Sequence, residues 1–141
     1  MTLADVNVLI AAHREDAVHH EACHAWLTSQ VHGASPFGIS QQVLGAVIRI
    51  ETHPRIYNPP TPLANALGFV NLLMDLPHCR LIEPGREHWA IFSDLCRQSN
   101  AAGNLVQDAW YAALAIESGC TWITLDRDYA RFKGLHWRGP V

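Results

Sequence analysis

The chain has 141 residues, 49% of them hydrophobic and 16% charged, which is the size of one folded domain and excludes a disordered polyelectrolyte. A formal net charge of −3 excludes nucleic-acid binding by bulk charge alone and leaves that role to a local basic patch. No apolar stretch reaches the roughly 18–20 residues of a membrane span; the longest, Leu63 to Leu76, is broken by Asn65 and Asn71.

In chain order, Leu3 to Ala12 (LADVNVLIAA) reads as a short buried strand interrupted by Asp5 and Asn7. No basic leader precedes it, so the protein is expected to be soluble and to act in the cytoplasm. A helix follows over HHEACHAWLTSQV, its inward face carrying Ala22, Trp26, Leu27 and Val31. Gly33 and Pro36 break it. PFGIS is a brief strand, and Ser40 is placed to cap a helix over QQVLGAVIRIE. THPRIYNPPTP, with four prolines in eleven residues, is a loop. Thr61 is predicted to cap the next helix, which runs to Leu76.

CRLIEP is read as a second buried strand and HWAIFSDLCRQS as an amphipathic helix closing near Asn100 and Gly103. NLVQDAWYAALAIESG is the strongest helix, alanine-rich on one face and stopped by Gly119. TWITL is a strand, DRDYARF follows it, and GLHWRGP adds a last short strand. Strands alternating with helices predict one α/β domain over residues 1–141, with a central, mostly parallel sheet and helices on both faces. The four cysteines, Cys23, Cys79, Cys96 and Cys120, form no CxxC pair and are expected to be free thiols.

In such sheets chemistry gathers beyond the carboxyl ends of the strands, where strand order reverses. Asp5 lies in the first strand, and TWITL runs directly into Asp126 and Asp128. Asp108 stands one turn into the alanine-rich helix, four residues after Asn104. Carboxylates gathered at one edge repel each other unless a cation intervenes. Hard divalent ions such as Mg²⁺ or Mn²⁺ take oxygen ligands, keep several waters and stabilise charge on a phosphate under attack. The simpler reading makes Asp126 and Asp128 turn and cap residues and Asp5 a buried hydrogen-bond acceptor. Spacing alone leaves both open.

With DVNVLIAA, GNLVQDAWYAALAIESG and TLDRDYARF in this order, the sequence resembles PIN domains, and more closely the VapC-type toxins of bacterial toxin–antitoxin pairs. The likeness runs nearly end to end, through RIETHPRIY and the closing GLHWRGP. It implies a three-layer α/β/α sandwich, Mg²⁺- or Mn²⁺-dependent endoribonuclease activity on structured RNA, homodimers, and neutralisation by a VapB-type antitoxin. Residue by residue it assigns Asp5, Asp108 and Asp126 as catalytic residues and, together with the neighbouring acid Asp128, as metal ligands. Asn7, Thr124 and Asn104 are the polar residues flanking them.

The family's remaining acidic position, a Glu three residues before the basic residue matching Arg49, is here Ala46. Glu51 lies five residues on, about 140° around the helix, and cannot simply replace it. This favours an alternative, a catalytically weak PIN module that acts mainly in RNA binding or complex formation. A third reading, a phosphatase- or receiver-like domain phosphorylated on Asp5, lacks both a DxD pair and a nearby lysine, Lys133 being the only one.

His20-Glu21-Ala22-Cys23-His24 matches the HExxH zinc-protease pattern, but no third ligand stands at the spacing a metzincin needs. It reads as a solvated helix start with Trp26 and Leu27 packed inward. Arg127, Arg131, Lys133 and Arg138 crowd the segment after the last acids, either gripping RNA phosphates or forming an ordinary solvated rim. Arg49 and Arg55 are read either as further phosphate contacts or as partners of Glu51. Of Trp110 and Tyr111, one is expected in the core and the other free to stack on a base or sit in a dimer interface.

Overall fold

The computed structural model describes residues 1–141. Five short strands, β1 (Thr2–Ala4), β2 (Phe37–Ile39), β3 (Cys79–Leu81), β4 (Thr121–Ile123) and β5 (Trp137–Arg138), form one sheet of order β3-β2-β1-β4-β5. Every pairing is parallel. The helices are α1 (Val6–His13), α2 (His20–His32), α3 (Gln41–Glu51), α4 (Leu63–Met74), α5 (His88–Ser99) and α6 (Asn104–Ser118). From β1 the chain steps through β2 to β3, then returns past β1 to β4. Right-handed crossovers therefore set α1–α4 on one face and α5–α6 on the other. This is the predicted three-layer α/β/α sandwich, and order reverses between β1 and β4.

The first apolar run differs from its reading as a strand. Only Thr2–Ala4 is strand, and Val6–His13 is helix, with Asp5 as the N-cap accepting from the Val6 N–H. A short apolar run fits a buried strand or a buried helix equally, and five consecutive buried residues, Val8 to Ala12, show that α1 is enclosed rather than amphipathic. Ser40 caps α3 as expected, accepting from Val43. Thr61 does not cap α4, which begins after Pro62 without a side-chain cap. The Thr61 hydroxyl instead accepts from Arg14 Nη1 at 2.9 Å, and its N–H donates to the Glu51 carbonyl. β3 is not buried either: it is a sheet edge with Arg80 and Leu81 exposed.

The core lies between sheet and helices. Trp122 on β4 is fully buried, with its ring 5.5 Å from both Tyr111 and Tyr129. Ala109, Ala112, Ala113 and Ala115 are all buried, their small side chains letting α6 lie close to the sheet. Trp26 and Leu27 pack inward as expected. All four cysteines are free, Cys23 and Cys120 buried and the other two half-buried. No helix is long and apolar enough to cross a membrane.

Glu51 at the end of α3 is fully buried, and His13 Nδ1 donates to both its oxygens at 2.8 and 3.0 Å. His13 in turn stacks on Phe69, with centroids 4.1 Å apart. The pair ties α1, α3 and α4 together away from the acids at the sheet edge. Burial pushes the Glu51 carboxyl above its usual range, and the bond from His13 opposes that rise. Glu51→Ala strands the imidazole donor at a half-buried site, so we expect a loss of about 1–3 kcal/mol in urea unfolding.

Candidate active site

The register of β1 on β4 builds the site. Ala4 pairs with Ile123, and the Asp5 N–H donates to the Ile123 carbonyl at 2.8 Å. The next residues on each strand, Asp5 and Thr124, therefore emerge side by side at the carboxyl end of the sheet. The Thr124 hydroxyl donates to Asp5 Oδ2 at 2.6 Å, while Asp5 Oδ1 accepts from the Val6 N–H at 2.6 Å. Thr124 Oγ1 also accepts from the Asp126 N–H at 3.0 Å. One hydroxyl thus links the first acid to the turn carrying the third.

Asp126 heads a short 3-10 turn, Arg127–Arg131, and its Oδ1 accepts from the Asp128 N–H at 2.8 Å. Tyr129, two per cent exposed, comes from that turn and donates its hydroxyl to Asp108 Oδ1 at 3.2 Å. Asn7 Oδ1 accepts from the Leu125 N–H at 3.2 Å. Each acid is held by a donor, and each donor belongs to the β1–α1 junction or to the segment just after β4.

Asp5, Asn7, Asp108 and Asp126 line one cavity of about 480 Å³, together with Arg49, Tyr111 and Tyr129. Thr124 is buried just behind it. Asn104, exposed at the start of α6, does not line it. Nor does Asp128, whose carboxylate is 73% exposed and lies 4.0 Å from Arg131. Lys133 is exposed and outside the cavity. Arg127 and Arg138 line an adjoining cavity that shares His19 and Leu125 with the first. Of Trp110 and Tyr111, Tyr111 is the buried one and also borders the cavity, while Tyr129 escaped the sequence reading as a site residue. The position of Tyr129 three residues after Asp126, on a turn too short to point away, was the available signal.

Burial raises the Asp5 carboxyl to about 6, against the opposing bonds from Thr124 and Val6, and Asp108 and Asp126 add to the rise. The Asp108 carboxyl is also pushed up, by burial first and by Asp126 after the Tyr129 hydroxyl has lowered it. Burial likewise raises the Tyr129 phenol, which stays a proton donor. The carboxylates do not close into a three-ligand cage. Three acids around one open cavity, two of them held above their usual range, form a donor set that suits a hydrated hard cation keeping part of its water shell. HExxH is no zinc site: His20 Nδ1 donates to the Ala11 carbonyl at 2.8 Å, His24 is exposed, and no third ligand approaches.

A sequence profile described as PIN domain matches residues 2–135. Ribonuclease VapC25 and Ribonuclease VapC31 of Mycobacterium tuberculosis are each 37% identical to the chain over the full length of both sequences. The chain belongs to the PIN-domain family of VapC ribonucleases. Solved structures share its fold. VapBC2 from Rickettsia felis, bound to a promoter DNA fragment, superposes with a TM-score of 0.71 at 15% identity, covering 98% of this chain and 97% of that one. The sarcin–ricin loop cleaving toxin VapC20 of Mycobacterium tuberculosis gives 0.67 at 14% identity, covering 96% and 98%.

In this PIN domain the raised Asp5 carboxyl has a measurable cost. Between the ordinary carboxylate range and about pH 6 the folded protein keeps a proton that the unfolded chain has lost. Stability therefore falls as pH rises through that window and stays lower above it, by up to about 3 kcal/mol. Asp5→Asn keeps an N-cap residue and removes the charge. In metal-free buffer it should be more stable than the wild type at pH 7 and equal to it below about pH 4; thermal melts at the two pH values check this.

Proposed function

We propose that this chain is a divalent-metal-dependent endoribonuclease that cleaves structured RNA, acting as the toxin of a toxin–antitoxin pair and neutralised by a VapB-type antitoxin. The observation that carries the reading is the meeting of Asp5, Asp108 and Asp126 in one cavity at the strand-order switch of a VapC-family fold. These three would hold Mg²⁺ or Mn²⁺, with Asp128 and Asn104 no closer than the rim. Bound there, such an ion supplies charge neutralisation for the attacked phosphate and lowers the pKa of a coordinated water.

The chain's own residues do the rest. Thr124 and the Val6 N–H fix the Asp5 carboxylate in one orientation. Tyr129 holds Asp108 from behind, and the Asp128 N–H holds Asp126. Arg49 on the cavity wall, with Arg127 and Arg138 in the adjoining cavity, offers bidentate contacts to backbone phosphates on either side. Arg131 and Lys133 add exposed positive charge on the same segment. For a protein partner, α5 offers one exposed aromatic side chain backed by half-buried ones from α5 and α6. Trp89 stands 65% exposed there, beside Phe92 and Trp110.

A weaker catalyst that chiefly binds RNA is the second reading, favoured by one observation. Ala46 lines the cavity where a fourth acid would stand, and a methyl group ligates nothing. The two readings separate experimentally. Under the first, purified protein cleaves RNA with Mg²⁺ or Mn²⁺, and Asp126→Asn lowers the rate at least about 100-fold with the fold intact, as expected for loss of a charge-stabilising group. Asp128→Asn, altering an exposed carboxylate, retains most activity. RNA binding without cleavage at any metal concentration would leave the second reading.

Ala46→Glu is the complementary test. Its side chain enters the same cavity, adding charge and a ligand, so calorimetric Mn²⁺ affinity should rise about tenfold or more. Unchanged affinity would show that position 46 does not reach the ion.

A further inference from the structure

The RIETHPRIY stretch supplies none of the three acids, yet besides Arg49 it contributes Ile50 and Tyr57 to the same cavity. Beyond the acids, the cavity is lined by Ile10, Ala11, Ala17, Val18, Ile50 and Tyr57. Along α1 the lining runs from Asp5, its N-cap, and Asn7 to Ile10 and Ala11 more than a turn further on, so an apolar end adjoins the acidic one. The two ends are distinct in their charges. The carboxylates acting on Tyr129 are Asp5 and Asp108, whereas the charges acting on Tyr57 are Arg14, Asp16 and Glu51.

Tyr57 is unusually well anchored for a residue on a proline-rich surface loop. The Arg14 guanidinium lies 3.9 Å from its ring centroid. That guanidinium is locked in turn: it donates to both Asp16 oxygens at 2.9 and 2.8 Å, to Thr61 Oγ1 at 2.9 Å and to the Pro59 carbonyl at 3.1 Å. The loop is tied down at its other points by Tyr57 N–H to the His53 carbonyl and Thr61 N–H to the Glu51 carbonyl. One face of the ring is thus covered by a fixed cation, and the ring borders the cavity.

A phosphate held at the acids carries a nucleotide on each side, and the only apolar faces a nucleotide offers are those of its base. An aromatic ring fixed at the apolar end of a cavity whose other end takes phosphate is therefore matched to a base, stacked in the manner of single-strand RNA sites. The guanidinium behind the ring holds the platform flat and adds a cation–π contribution. We propose that Tyr57, positioned by Arg14, is the stacking platform of a nucleobase subsite next to the scissile phosphate. This rests on the ribonuclease reading and deepens it.

The test uses Asp126→Asn protein, which holds RNA without cutting it, and fluorescence anisotropy with two probes: an oligoadenylate octamer, and an octamer of abasic ribose-phosphate. Tyr57→Leu keeps apolar bulk and loses the ring. It should weaken octamer binding about 5- to 100-fold, the range for loss of one stacked base, and leave the abasic octamer unchanged. Tyr57→Phe should bind both probes as the parent does. Arg14→Met, releasing the loop, should lose part of the base-dependent affinity only.

Equal weakening on both probes would mean a structural or backbone role and overturn the proposal. So would unchanged RNA affinity with a weakened antitoxin complex, which would make the apolar end a pocket for a protein side chain. As a second measurement, octamers carrying 5-iodouridine, irradiated on Asp126→Asn protein with Tyr57 in place, should cross-link to Tyr57. Cross-links confined to Trp89 or Trp110 would overturn it. Wild-type cleavage of RNA separates the two levels. If Tyr57→Leu fails these tests while wild-type protein still cleaves, the subsite falls and the nuclease reading stands; if wild-type protein neither binds nor cleaves RNA, both fall.

Discussion

The hydrogen bond from Thr124 to Asp5, 2.6 Å long and almost wholly buried, is the contact on which the rest of the site depends. It exists because β1 and β4 are neighbours in parallel register, so the residue following each strand emerges at the same level. A slip of one residue would send Asp5 to the opposite face of the sheet. Because Thr124 Oγ1 also accepts from the Asp126 N–H, the same hydroxyl sets where the turn begins, and the turn sets where Tyr129 lies. Tyr129 then fixes Asp108 from another element. Five residues from three parts of the chain are linked through one backbone register.

The topology and the electrostatics come from the same fact. A parallel sheet whose order reverses between β1 and β4 opens a crevice there. The first turn of α1 begins in that crevice, so Asp5 is at once the cap of a buried helix and an acid facing two others. A carboxylate in that position is stabilised by the cap and by Thr124 and destabilised by burial and by its neighbours. The destabilising effects win, so the charged cluster is less stable than a neutral one, and a cation held there would add to folding free energy.

Much of this was legible in the sequence, and the misses have physical causes. The acids at strand ends, the Ser40 cap, the Gly119 stop and the alternation of strands with helices all rest on local chemistry, and the structure places them where local chemistry predicts. The run from Leu3 to Ala12 was misread because a helix buried all round has no periodicity to distinguish it from a strand. Thr61 looked like a cap, but a long-range donor, Arg14, claims its hydroxyl across 47 residues. Cys79–Leu81 has the composition of an inner strand and lies at an edge, since strand order is not written in any one segment. Within the site, Asp5, Asn7, Asp108 and Asp126 come together, while Asn104 and Asp128 face outward. Helical spacing puts Asn104 on the same face as Asp108, but the helix end that carries it lies beyond the cavity.

The cavity also explains why the chain spends so much polar bonding on a surface loop. Arg14 is only 10% exposed, and satisfying its guanidinium takes a carboxylate, a hydroxyl, a carbonyl and an aromatic face at once. A loop whose only task was to connect α3 to α4 would need none of these, since long surface connections tolerate disorder at little thermodynamic cost. The bonds converge on Tyr57 and are seated on the end of α3, where the buried His13–Glu51 pair joins α1 to α3. Rigidity is thus carried from the interior outward to one ring at the cavity wall. The acids are likewise held by fixed donors: both Asp5 oxygens accept, from Thr124 and the Val6 N–H, while Asp108 and Asp126 are each held through one oxygen, by Tyr129 and the Asp128 N–H. Both ends of the cavity are pre-organised by the same device, a fixed donor behind each group that is left facing the open space.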